Sequence, residues 1–570
     1  MLSKLKNFFK SKIRKSYAPI DPDEIFLDSQ NLPEFNRDQF EGRIEKPITR
    51  HVFSVLAFVL VLVGLIFIGK VWALQVLHGD IMKTKSDNNS LHNVTIFADR
   101  GLITDRNGVP LVWNTLNPTS SEFSLRQYAT STGLSTLLGY VKYPTKDSSG
   151  FYYQEKFVPK DGLEKIYDSD LSGVDGSKIT ETDVKGNITS ESVVHPPQDG
   201  KNLTLSIDAR VQKKLYDSML DIAQRAGFRG GAGMIMDVHT GEIIASATFP
   251  EFSSQVLTDG SDSKQINAWL SDSNKPFLNR AINGLYTPGS IVKPFIAMGV
   301  LDQKVISPTT QILSTGSISV PNPYDKTKPS IFNDWRANGW VDLEHAIAVS
   351  SDVYFYEVGG GFESQKGIGI NNIEKYTRMF GFGSTTEINF PGEQDGVIPD
   401  PAWKASTFKG EMWRVGDTYN TTIGQYGFQV TPVQALRAVA ALANGGNLLV
   451  PTFLKTDSKN NPPKISGTVG LDPSYFKIVK DGMRLCVTEG TCTAMNLPFV
   501  DVAGKSGTAQ LGVSKDLVNS WIVGFWPAEN PHYAFAVVME RASKTNQFGA
   551  ALVMQNLFNW MGIYGTEWLK

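Results

Sequence analysis

The sequence predicts a membrane-anchored α/β protein, and three observations support this fold class. An uncharged apolar run from Val52 to Gly69 lies near the N-terminus. Two strand-like segments joined at a Thr-Gly turn occupy residues 231–248, and three more strand-like segments follow near the C-terminus. A long, mainly helical region lies between them. Because a sheet must bury its apolar face against other elements, we expect the early and late strands to form one sheet that the helices cover.

Composition limits the classes of function. At 570 residues, with 41% hydrophobic and 20% charged residues, the chain is long enough for two or three folded domains. A net charge of -2 gives no reason to expect a nucleic-acid partner. No His-Glu-x-x-His motif is present, and two cysteines cannot build a cysteine metal cage. Cys486 and Cys492 either pair outside the cytoplasm or remain free thiols, and their spacing allows both.

The apolar run is long enough to be an uncleaved membrane anchor. It continues after Lys70 to Leu77, and roughly 18 to 25 such residues span a bilayer core of about 30 Å. A cleaved signal peptide has an apolar region of only about 7 to 15 residues and a small-residue cleavage site, and this stretch has neither. We therefore expect a transmembrane helix at 51–77.

The charges that flank the anchor predict its orientation. Basic residues cluster on the N-terminal side, at Lys4, Lys6, Lys10, Lys12, Arg14, Lys15, Lys46 and Arg50. By the positive-inside rule, the tail at 1–50 is expected in the cytoplasm and most of the chain outside it. Apolar residues also recur at helical spacing in the tail, at Leu2, Leu5, Phe9 and Ile13. They indicate either a basic helix on the inner leaflet or a solvated tail.

Beyond the anchor, we expect a small α+β pedestal domain at 78–205 and a larger domain at 206–570. An Asn-Gly turn between alternating segments predicts a hairpin over 95–112, and the Ser-, Asp-, Gly- and Pro-rich stretch at 143–198 is typical of loops. The larger domain should open with a helix over 206–227, because apolar residues recur there at helical spacing before a glycine.

The stretch TPGSIVKPF, residues 287–295, places Lys293 three residues after Ser290. If a helix begins near Ser290, both side chains lie on one face and the ammonium can reach the hydroxyl. The positive end of the helix dipole and partial burial would push Lys293 toward its neutral form, which makes Ser290 a nucleophile beside its base. The spacing alone is weak evidence. It recurs at Ser3/Lys6, Ser261/Lys264, Ser406/Lys409 and Ser474/Lys477.

Two other motifs accompany the first. Ser350-Ser351-Asp352 lies on a helical stretch or at its edge, and Lys505-Ser506-Gly507 opens a strand. Lys-[Ser/Thr]-Gly occurs once in the chain, and a phosphate-binding loop is excluded because it would need glycine at Phe499. The order Ser-x-x-Lys, Ser-x-Asp, Lys-Ser-Gly resembles the signature of penicillin-binding proteins and serine β-lactamases.

Longer phrases extend the resemblance over nearly the whole chain. They are RIEKPITR, WALQVLHGD, ADRGLITDRNGVPL, GLEKIYDSD, NRAINGLYTPGSIVKPF, IGQYGFQVTPVQ and AGKSGTAQ. The chain resembles a class B penicillin-binding protein, and Tyr286 and Asp352 favour the cell-elongation type over the septal type. The resemblance implies that the pedestal is followed by a transpeptidase domain of the serine β-lactamase-like fold, an antiparallel sheet covered by helices.

The resemblance also implies an activity and its residues. A D,D-transpeptidase of this kind cross-links peptidoglycan stem peptides, has D-Ala-D-Ala carboxypeptidase chemistry, is inhibited by β-lactams and acts in elongation and cell shape. Ser290 would form the acyl-enzyme, Lys293 would take its proton, and Ser350 would pass that proton to the leaving amine. Asp352 belongs to the same catalytic set. Lys505 would attract the substrate carboxylate and keep Lys293 neutral by like-charge repulsion.

The remaining implied residues bind substrate. Ser506, Gly507 and Thr508 would hold the terminal carboxylate, and the backbone N–H groups of Ser290 and Thr508 would form the oxyanion hole. No cofactor or metal is implied. Some relatives bind zinc near the second motif through a cysteine, but only Asp334 and His345 lie there. Ile291 and Ser506 replace the usual threonines and GQYG replaces Gly-Gln-Gly-Tyr, which bears on β-lactam affinity more than on the reaction class.

The implied partners are stem peptides, a polytopic glycosyltransferase and a coiled-coil scaffold of the elongation complex at the bacterial inner membrane. A bifunctional synthase is disfavoured because residues 78–205 carry no glycosyltransferase motifs. A class A β-lactamase would add a Glu-x-x-x-Asn segment, which the chain lacks. The alternatives kept open are a penicillin sensor or β-lactamase-like hydrolase and a catalytically inactive scaffold.

Overall fold

The computed structural model describes residues 50–80, 82–83, 91–118, 122–130, 132–148, 152–182, 188–322, 325, 327–457, 459 and 461–570. The predicted cytoplasmic tail at 1–50, with its two alternative interpretations, lies outside these residues apart from the backbone of Arg50. The chain divides into two compact units, residues 1–90 and residues 91–570.

The first unit contains a long apolar helix, α1 (Arg50–Trp72), which continues into a π-helical turn at Ala73–Leu77. The span His51–Leu77 has a mean hydropathy of 3.0. Its large side chains are exposed, with Phe58 at 68% and Leu65 at 60%. Apolar side chains exposed along a helix of this length are suited to lipid. The helix therefore fits the single-pass membrane anchor expected at 51–77.

The N-terminal part of the second unit consists of short strands and helices. The strands are β1 (Leu91–Ile96), β2 (Ile103–Thr104), β3 (Pro110–Thr115), β4 (Leu125–Tyr128), β5 (Tyr140–Lys142), β6 (Thr145–Lys146), β7 (Tyr152–Gln154), β8 (Val158–Asp161), β9 (Gly176–Thr182), β10 (Ile188–His195) and β11 (Leu203–Thr204). The helices are α2 (Ser135–Leu138), α3 (Gly162–Ile166) and α4 (Asp168–Leu171). One sheet has the order β1-β9-β10, and another has the order β11-β2-β3-β4.

The predicted hairpin is confirmed for β2 and β3. A hydrogen bond from Gly108 N to Asp105 O at 3.1 Å closes its turn. The segment before β2 pairs elsewhere, since Thr95 in β1 lies opposite Ser177 in β9. The interpretation of 143–198 as loops is wrong for β9 and β10. Every side chain of β10 is exposed, so the strand carries no alternating apolar pattern that a sequence could reveal.

A buried ion cluster fixes this part of the fold. The fully buried Glu164 carboxylate accepts hydrogen bonds from Arg126 Nε at 2.8 Å and from Arg100 Nη2 at 2.8 Å. Burial alone would raise the pKa of Glu164, but the two guanidinium groups hold it below its usual value. Because guanidinium stays charged at any physiological pH, this cluster is permanently ionised and connects α3 to β4 and to the chain before β2.

The rest of the second unit is larger. Its strands are β12 (Gly230–Asp237), β13 (Ile243–Phe249), β14 (Ile312–Ser314), β15 (Ser317–Val320), β16 (Ser330–Asn333), β17 (Gly339–Val341), β18 (Asn447–Leu449), β19 (Ile465–Thr468), β20 (Ala503–Leu511), β21 (Leu517–Trp526) and β22 (Tyr533–Ser543). Its helices are α5 (Ala209–Ala226), α6 (Ser254–Asp259), α7 (Ser263–Ser271), α8 (Lys293–Asp302), α9 (Leu343–Ala348), α10 (Asp352–Gly360), α11 (Gly369–Met379), α12 (Pro401–Thr407), α13 (Val415–Thr422), α14 (Pro432–Ala443), α15 (Pro473–Thr488) and α16 (Ala550–Tyr564).

A five-stranded antiparallel sheet organises this domain in the order β13-β12-β22-β21-β20. Gly230 in β12 lies opposite Glu540 in β22. The sheet therefore joins the early and late strands, as the sequence predicted. The predicted opening helix is also confirmed as α5, which the Asp208 side chain caps and which ends at Gly227 in the left-handed conformation.

The two faces of the sheet bury different helices. Alternation along β12 places Met234 on the face that α8 and α14 cover, and Ile235 on the face that α5 and α16 cover. On the first face, Phe295 and Ile296 of α8 are buried in the larger cluster of core side chains. The helix that follows Ser290 is thus a buried core element, which gives the site a rigid base.

Candidate active site

The Ser290 turn is held from two sides by backbone. Residues Gly289–Val292 form a 3₁₀ turn, and α8 begins only at Lys293, three residues after the predicted start. Gly289 has φ +59°, and a Cβ there would lie 3.0 Å from the carbonyl oxygen of Thr508 in β20. On the other side, Gly289 N donates to Gly424 O at 3.0 Å. Glycine is required here both for the positive φ and for the close approach of β20.

Lys293 connects the first motif to the second. Its side chain is fully buried, and its Nζ lies 2.6 Å from Asp352 Oδ1. The same nitrogen donates to Ser350 O at 2.8 Å and lies 3.4 Å from Ser350 Oγ. The sequence predicted that the ammonium would reach the Ser290 hydroxyl, whereas its hydrogen bonds in the structure run to Ser350 and Asp352. A buried cation needs several acceptors, and the second motif supplies them.

The second motif has a strained backbone. Ser350 is buried and has φ +59°, a left-handed conformation that is rare for serine. Ser351 caps α10 by accepting from Tyr354 N at 3.3 Å. This geometry directs both the carbonyl oxygen and the hydroxyl of Ser350 at Lys293. Burial raises the pKa of Asp352, and the neighbouring Lys293 counteracts this only in part.

Asp334 supports the second motif from outside. Its Oδ2 accepts from Ser351 Oγ at 2.8 Å and from Val353 N at 3.1 Å. The same oxygen also accepts from Ser314 Oγ at 3.0 Å and from Asn338 Nδ2 at 3.1 Å. Sequence analysis considered Asp334 only as a possible zinc ligand, and no local spacing reveals this role.

The described residues contain no group of three side chains that could hold a metal ion. His345 does not approach the second motif through its ring, since its Nδ1 lies 2.7 Å from Asp342 Oδ1 at the start of α9. The prediction of no zinc site stays a prediction.

Lys505 brings a second buried cation to the same site. Its side chain is fully buried in β20, and its Nζ donates to Ser506 O at 2.9 Å. Burial lowers the pKa of Lys505 well below its usual value. The positive charge of Lys293 lowers it further, while Asp352 counteracts both. Like-charge repulsion thus contributes to the lowered pKa of Lys505, and the expectation that Lys505 keeps Lys293 neutral stays a prediction.

The residues that follow Lys505 pack against the Ser290 turn. A Cβ on Gly507 would lie 2.8 Å from Pro288 O and 2.9 Å from Ile291 Cγ2, so only glycine permits this approach. Ser506 is half-buried and Thr508 is exposed. Because alternate residues of a strand share a face, both hydroxyls lie on the face opposite Gly507.

Thr491 also reaches this strand, and sequence analysis did not identify it. Its Oγ1 lies 2.6 Å from Ser506 Oγ. Thr491 precedes Cys492, which forms a disulfide with Cys486 in the structure. The sequence left the state of these cysteines open.

The Ser290 turn thus places a half-buried serine one turn before the buried Lys293, whose ammonium contacts a partly buried carboxyl and a strained second serine. A second buried lysine, Lys505, lies in the strand that packs on this turn. Such an arrangement suits nucleophilic catalysis by serine with lysine as the proton acceptor. A model of the penicillin binding protein transpeptidase domain matches residues 231–559, and a model of the penicillin-binding protein dimerisation domain matches residues 119–205. The chain belongs to the family of penicillin-binding proteins with a transpeptidase domain. The family resemblance and the fold class predicted from the motifs are thereby confirmed.

Relatives carry a more specific name. The chain is 31% identical to the peptidoglycan D,D-transpeptidase MrdA of Acinetobacter baumannii over 68% of this chain and 58% of that relative's length. It is 26% identical to MrdA of Salmonella typhimurium over 90% of this chain and 97% of the relative.

Solved structures agree with these relatives. Pseudomonas aeruginosa PBP2 in complex with WCK 5153 has a TM-score of 0.67 and 30% identity, over 84% of this chain and 98% of that chain. PBP2 in a complex with MreC from Helicobacter pylori has a TM-score of 0.67 and 26% identity, over 84% of this chain and 100% of that chain. These matches confirm the similarity to the elongation type, penicillin-binding protein 2.

Proposed function

We propose that the protein is a peptidoglycan D,D-transpeptidase that cross-links stem peptides during cell-wall elongation. The observation that carries the proposal is the position of Lys293, one turn after Ser290 and 2.6 Å from Asp352. Families of serine acyl-transfer enzymes need a nucleophile, a proton acceptor and a donor for the leaving group within one site. Ser290, Lys293 and Ser350 supply these three roles.

Acylation begins when Ser290 Oγ attacks the carbonyl carbon between two terminal D-alanines. The serine proton passes to Lys293 and then through Ser350 to the amine of the departing D-alanine as the C–N bond breaks. Lys293 must be neutral when it accepts the proton. Asp352, at 2.6 Å, stabilises the ammonium that forms when Lys293 accepts the proton. General-base catalysis of this kind contributes roughly 10² to 10⁴ in rate.

The third motif binds the charged parts of the substrate. The hydroxyls of Ser506 and Thr508 and the ammonium of Lys505 bind the terminal carboxylate. An arriving carboxylate favours the protonated form of Lys505, which compensates for its lowered pKa in the empty site. Backbone N–H groups of Ser290 and Thr508 stabilise the oxyanion, and one such donor is typically worth about 10² to 10³ in rate.

The acyl-enzyme is resolved by an amine from a neighbouring stem peptide, which forms the cross-link. Hydrolysis of the same intermediate by water gives D-Ala-D-Ala carboxypeptidase activity, which we propose as a side reaction. No step requires a metal or a cofactor. Both reactions use the same five catalytic residues, Ser290, Lys293, Ser350, Asp352 and Lys505.

The proposed location is the bacterial inner membrane, with the N-terminus in the cytoplasm. The apolar helix at 51–77 supports a single-pass anchor, and the pedestal at 78–205 would raise the transpeptidase domain at 206–570 toward the cell wall. The Helicobacter pylori relative forms a complex with MreC, which supports a similar scaffold partner here. A polytopic glycosyltransferase is the second proposed partner.

Mass spectrometry of the full-length protein in detergent, after exposure to a fluorescent penicillin, tests the proposal. The variants are Ser290→Ala, Ser350→Ala and a control, Ser406→Ala, in another Ser-x-x-Lys sequence whose serine hydroxyl donates to Trp403 O. We expect an adduct on Ser290 that persists for hours, is absent in S290A and is unchanged in S406A. Rapid release of opened drug would instead indicate a hydrolase. If no adduct forms, failure to turn over D-Ala-D-Ala stem peptides would indicate a scaffold.

A further inference from the structure

Thr491 connects the second and third motifs through two different polar groups. Its backbone N–H donates to Ala348 O at 3.1 Å, two residues before Ser350. Its hydroxyl lies 2.6 Å from the hydroxyl of Ser506. A single residue outside the three motifs therefore fixes the distance between the chain that carries Ser350 and the strand that carries Ser506.

The loop that presents Thr491 is closed covalently. Cys486 lies in the last turns of α15, Cys492 follows Thr491, and the two form a disulfide with both side chains fully buried. Cys492 N also donates to Cys486 O at 2.8 Å. A Cβ on Gly490 would lie 2.1 Å from Ala348 O, so the loop is pressed against the second motif. Thr491 has little freedom to leave Ser506.

A bound carboxylate determines the direction of the hydrogen bond between the two hydroxyls. Thr491 Oγ1 and Ser506 Oγ lie 2.6 Å apart, and either hydroxyl can be the donor. A carboxylate is the stronger acceptor, so Ser506 gives its single proton to the substrate carboxylate and Thr491 must then donate to Ser506 Oγ. Cys486 Sγ, 3.3 Å from Thr491 Oγ1, cannot replace Thr491 as a donor, because a disulfide sulfur has no proton.

We propose that Thr491 is a positioning residue for carboxylate recognition, because its hydroxyl donates to Ser506 and leaves the Ser506 proton available to the terminal carboxylate of the substrate. The proposal rests on the proposed function, in which Ser506 binds that carboxylate. Thr491 itself does not touch the substrate. Its loss should weaken the binding of carboxylate ligands before acylation and leave the chemical step nearly unchanged.

The test measures acylation of the full-length protein by a penicillin with a free carboxylate, at increasing concentration, to separate the dissociation constant Ks from the acylation rate constant k2. We expect Thr491→Val, which keeps the branched shape, to raise Ks about 3- to 10-fold, the range for one lost hydrogen bond. The value of k2 should stay within about twofold. Thr491→Ser, which keeps the hydroxyl, should restore Ks. The control Thr493→Val changes an exposed threonine in the same loop and should have no effect.

Three further measurements separate positioning from a general loss of structure. In a Ser506→Ala background, Thr491→Val should raise Ks no further, because the acceptor of its hydrogen bond is gone. The penicillin methyl ester, which lacks the carboxylate, should bind wild type and T491V equally. The double variant Cys486→Ala/Cys492→Ala frees the loop and should raise Ks without a further increase when T491V is added.

Each contrary outcome has one meaning. An unchanged Ks in T491V, an equal effect on the methyl ester, or an additive effect in the S506A background would overturn the proposal while acylation of wild type sustains the proposed function. Absence of any adduct on wild-type Ser290, together with no turnover of stem peptides, would overturn both.

Discussion

The pedestal and the active site each bring one carboxyl group close to two cations, but with opposite electrostatic results. In the pedestal, Arg100 and Arg126 hold Glu164 ionised and lower its pKa. In the active site, Asp352 lies 2.6 Å from Lys293, yet its pKa is raised. Lys505, the second cation there, has a pKa well below its usual value.

The difference lies in the chemistry of the cations. Arginine cannot lose its proton in a protein, and its planar donors satisfy both carboxylate oxygens of Glu164. Lysine has a titratable amine, so burial beside another cation lowers its pKa and favours the neutral form. In these two clusters, the arginines fix the charge of Glu164, whereas the lysines keep amines that can accept and release protons.

The largest expected effect comes from exchanging these cations. Lys293→Arg keeps a positive charge but removes the amine that we propose as the acceptor of the Ser290 proton, so the rate of penicillin acylation should fall by about 10² to 10⁴. The reverse exchange, Arg126→Lys, should lower thermal stability and leave acylation within about threefold. Stopped-flow acylation and thermal unfolding of both variants check this. Acylation of K293R within tenfold of wild type would show that Lys293 is not the proton acceptor.

The second prediction concerns stability. Glu164→Gln leaves the buried Arg126 guanidinium without its counter-charge, while Arg100 keeps Asp168 at 2.8 Å. Breaking a buried pair in this way costs about 3 to 5 kcal/mol of the free energy of unfolding. The matched control Glu191→Gln removes an exposed partner of Lys178 and should cost less than about 1 kcal/mol. Denaturant unfolding at pH 7 measures both.

The pH dependence of Glu164 has a definite sign. Its pKa is lower in the folded state, so its contribution is present above its usual pKa and is lost as pH falls through the lowered value. E164Q should therefore lose less stability than wild type on acidification. Equal acid sensitivity of the two proteins would contradict permanent ionisation of the pedestal cluster.

The smallest predicted effect concerns Lys505. Between its lowered folded-state pKa and its usual value, the unfolded chain binds a proton at Lys505 that the folded chain does not. The free energy of unfolding should therefore rise with pH across this window. Lys505→Met should remove that slope, and the exposed control Lys264→Met should keep it. Thermal midpoints between about pH 7 and pH 10 measure the slope, and an unchanged slope in K505M would be contrary to the expectation.

The sequence predicted those parts of the molecule whose signals are local. The motifs of Ser290 and Lys505 are short, and the strands of the central sheet are continuous apolar runs, so both were identified. Asp334 hydrogen-bonds to Ser351, and Thr491 hydrogen-bonds to Ser506. Only the fold brings the members of each pair together, and no fixed sequence spacing marks such pairs. The pairing of β1 with β9 was missed because β9 contains a single large apolar side chain, Ile179, and so shows no apolar alternation. The sequence did not decide whether the two cysteines pair, because two positions in a sequence do not specify a distance in space. In the structure their Cα atoms lie 5.1 Å apart, a distance that suits a disulfide.

The strand order has a consequence for how the newly synthesised chain folds. Gly230 can pair with Glu540 only after almost the whole chain has been synthesised. The strand with Lys505 lies at the edge of the same sheet and packs on the Ser290 turn. A nascent chain that already contains Ser290 therefore has neither its second lysine nor the strand that packs on the Ser290 turn. Reactivity toward D-alanyl peptides and penicillins should appear late and all at once, when the C-terminal strands close the sheet.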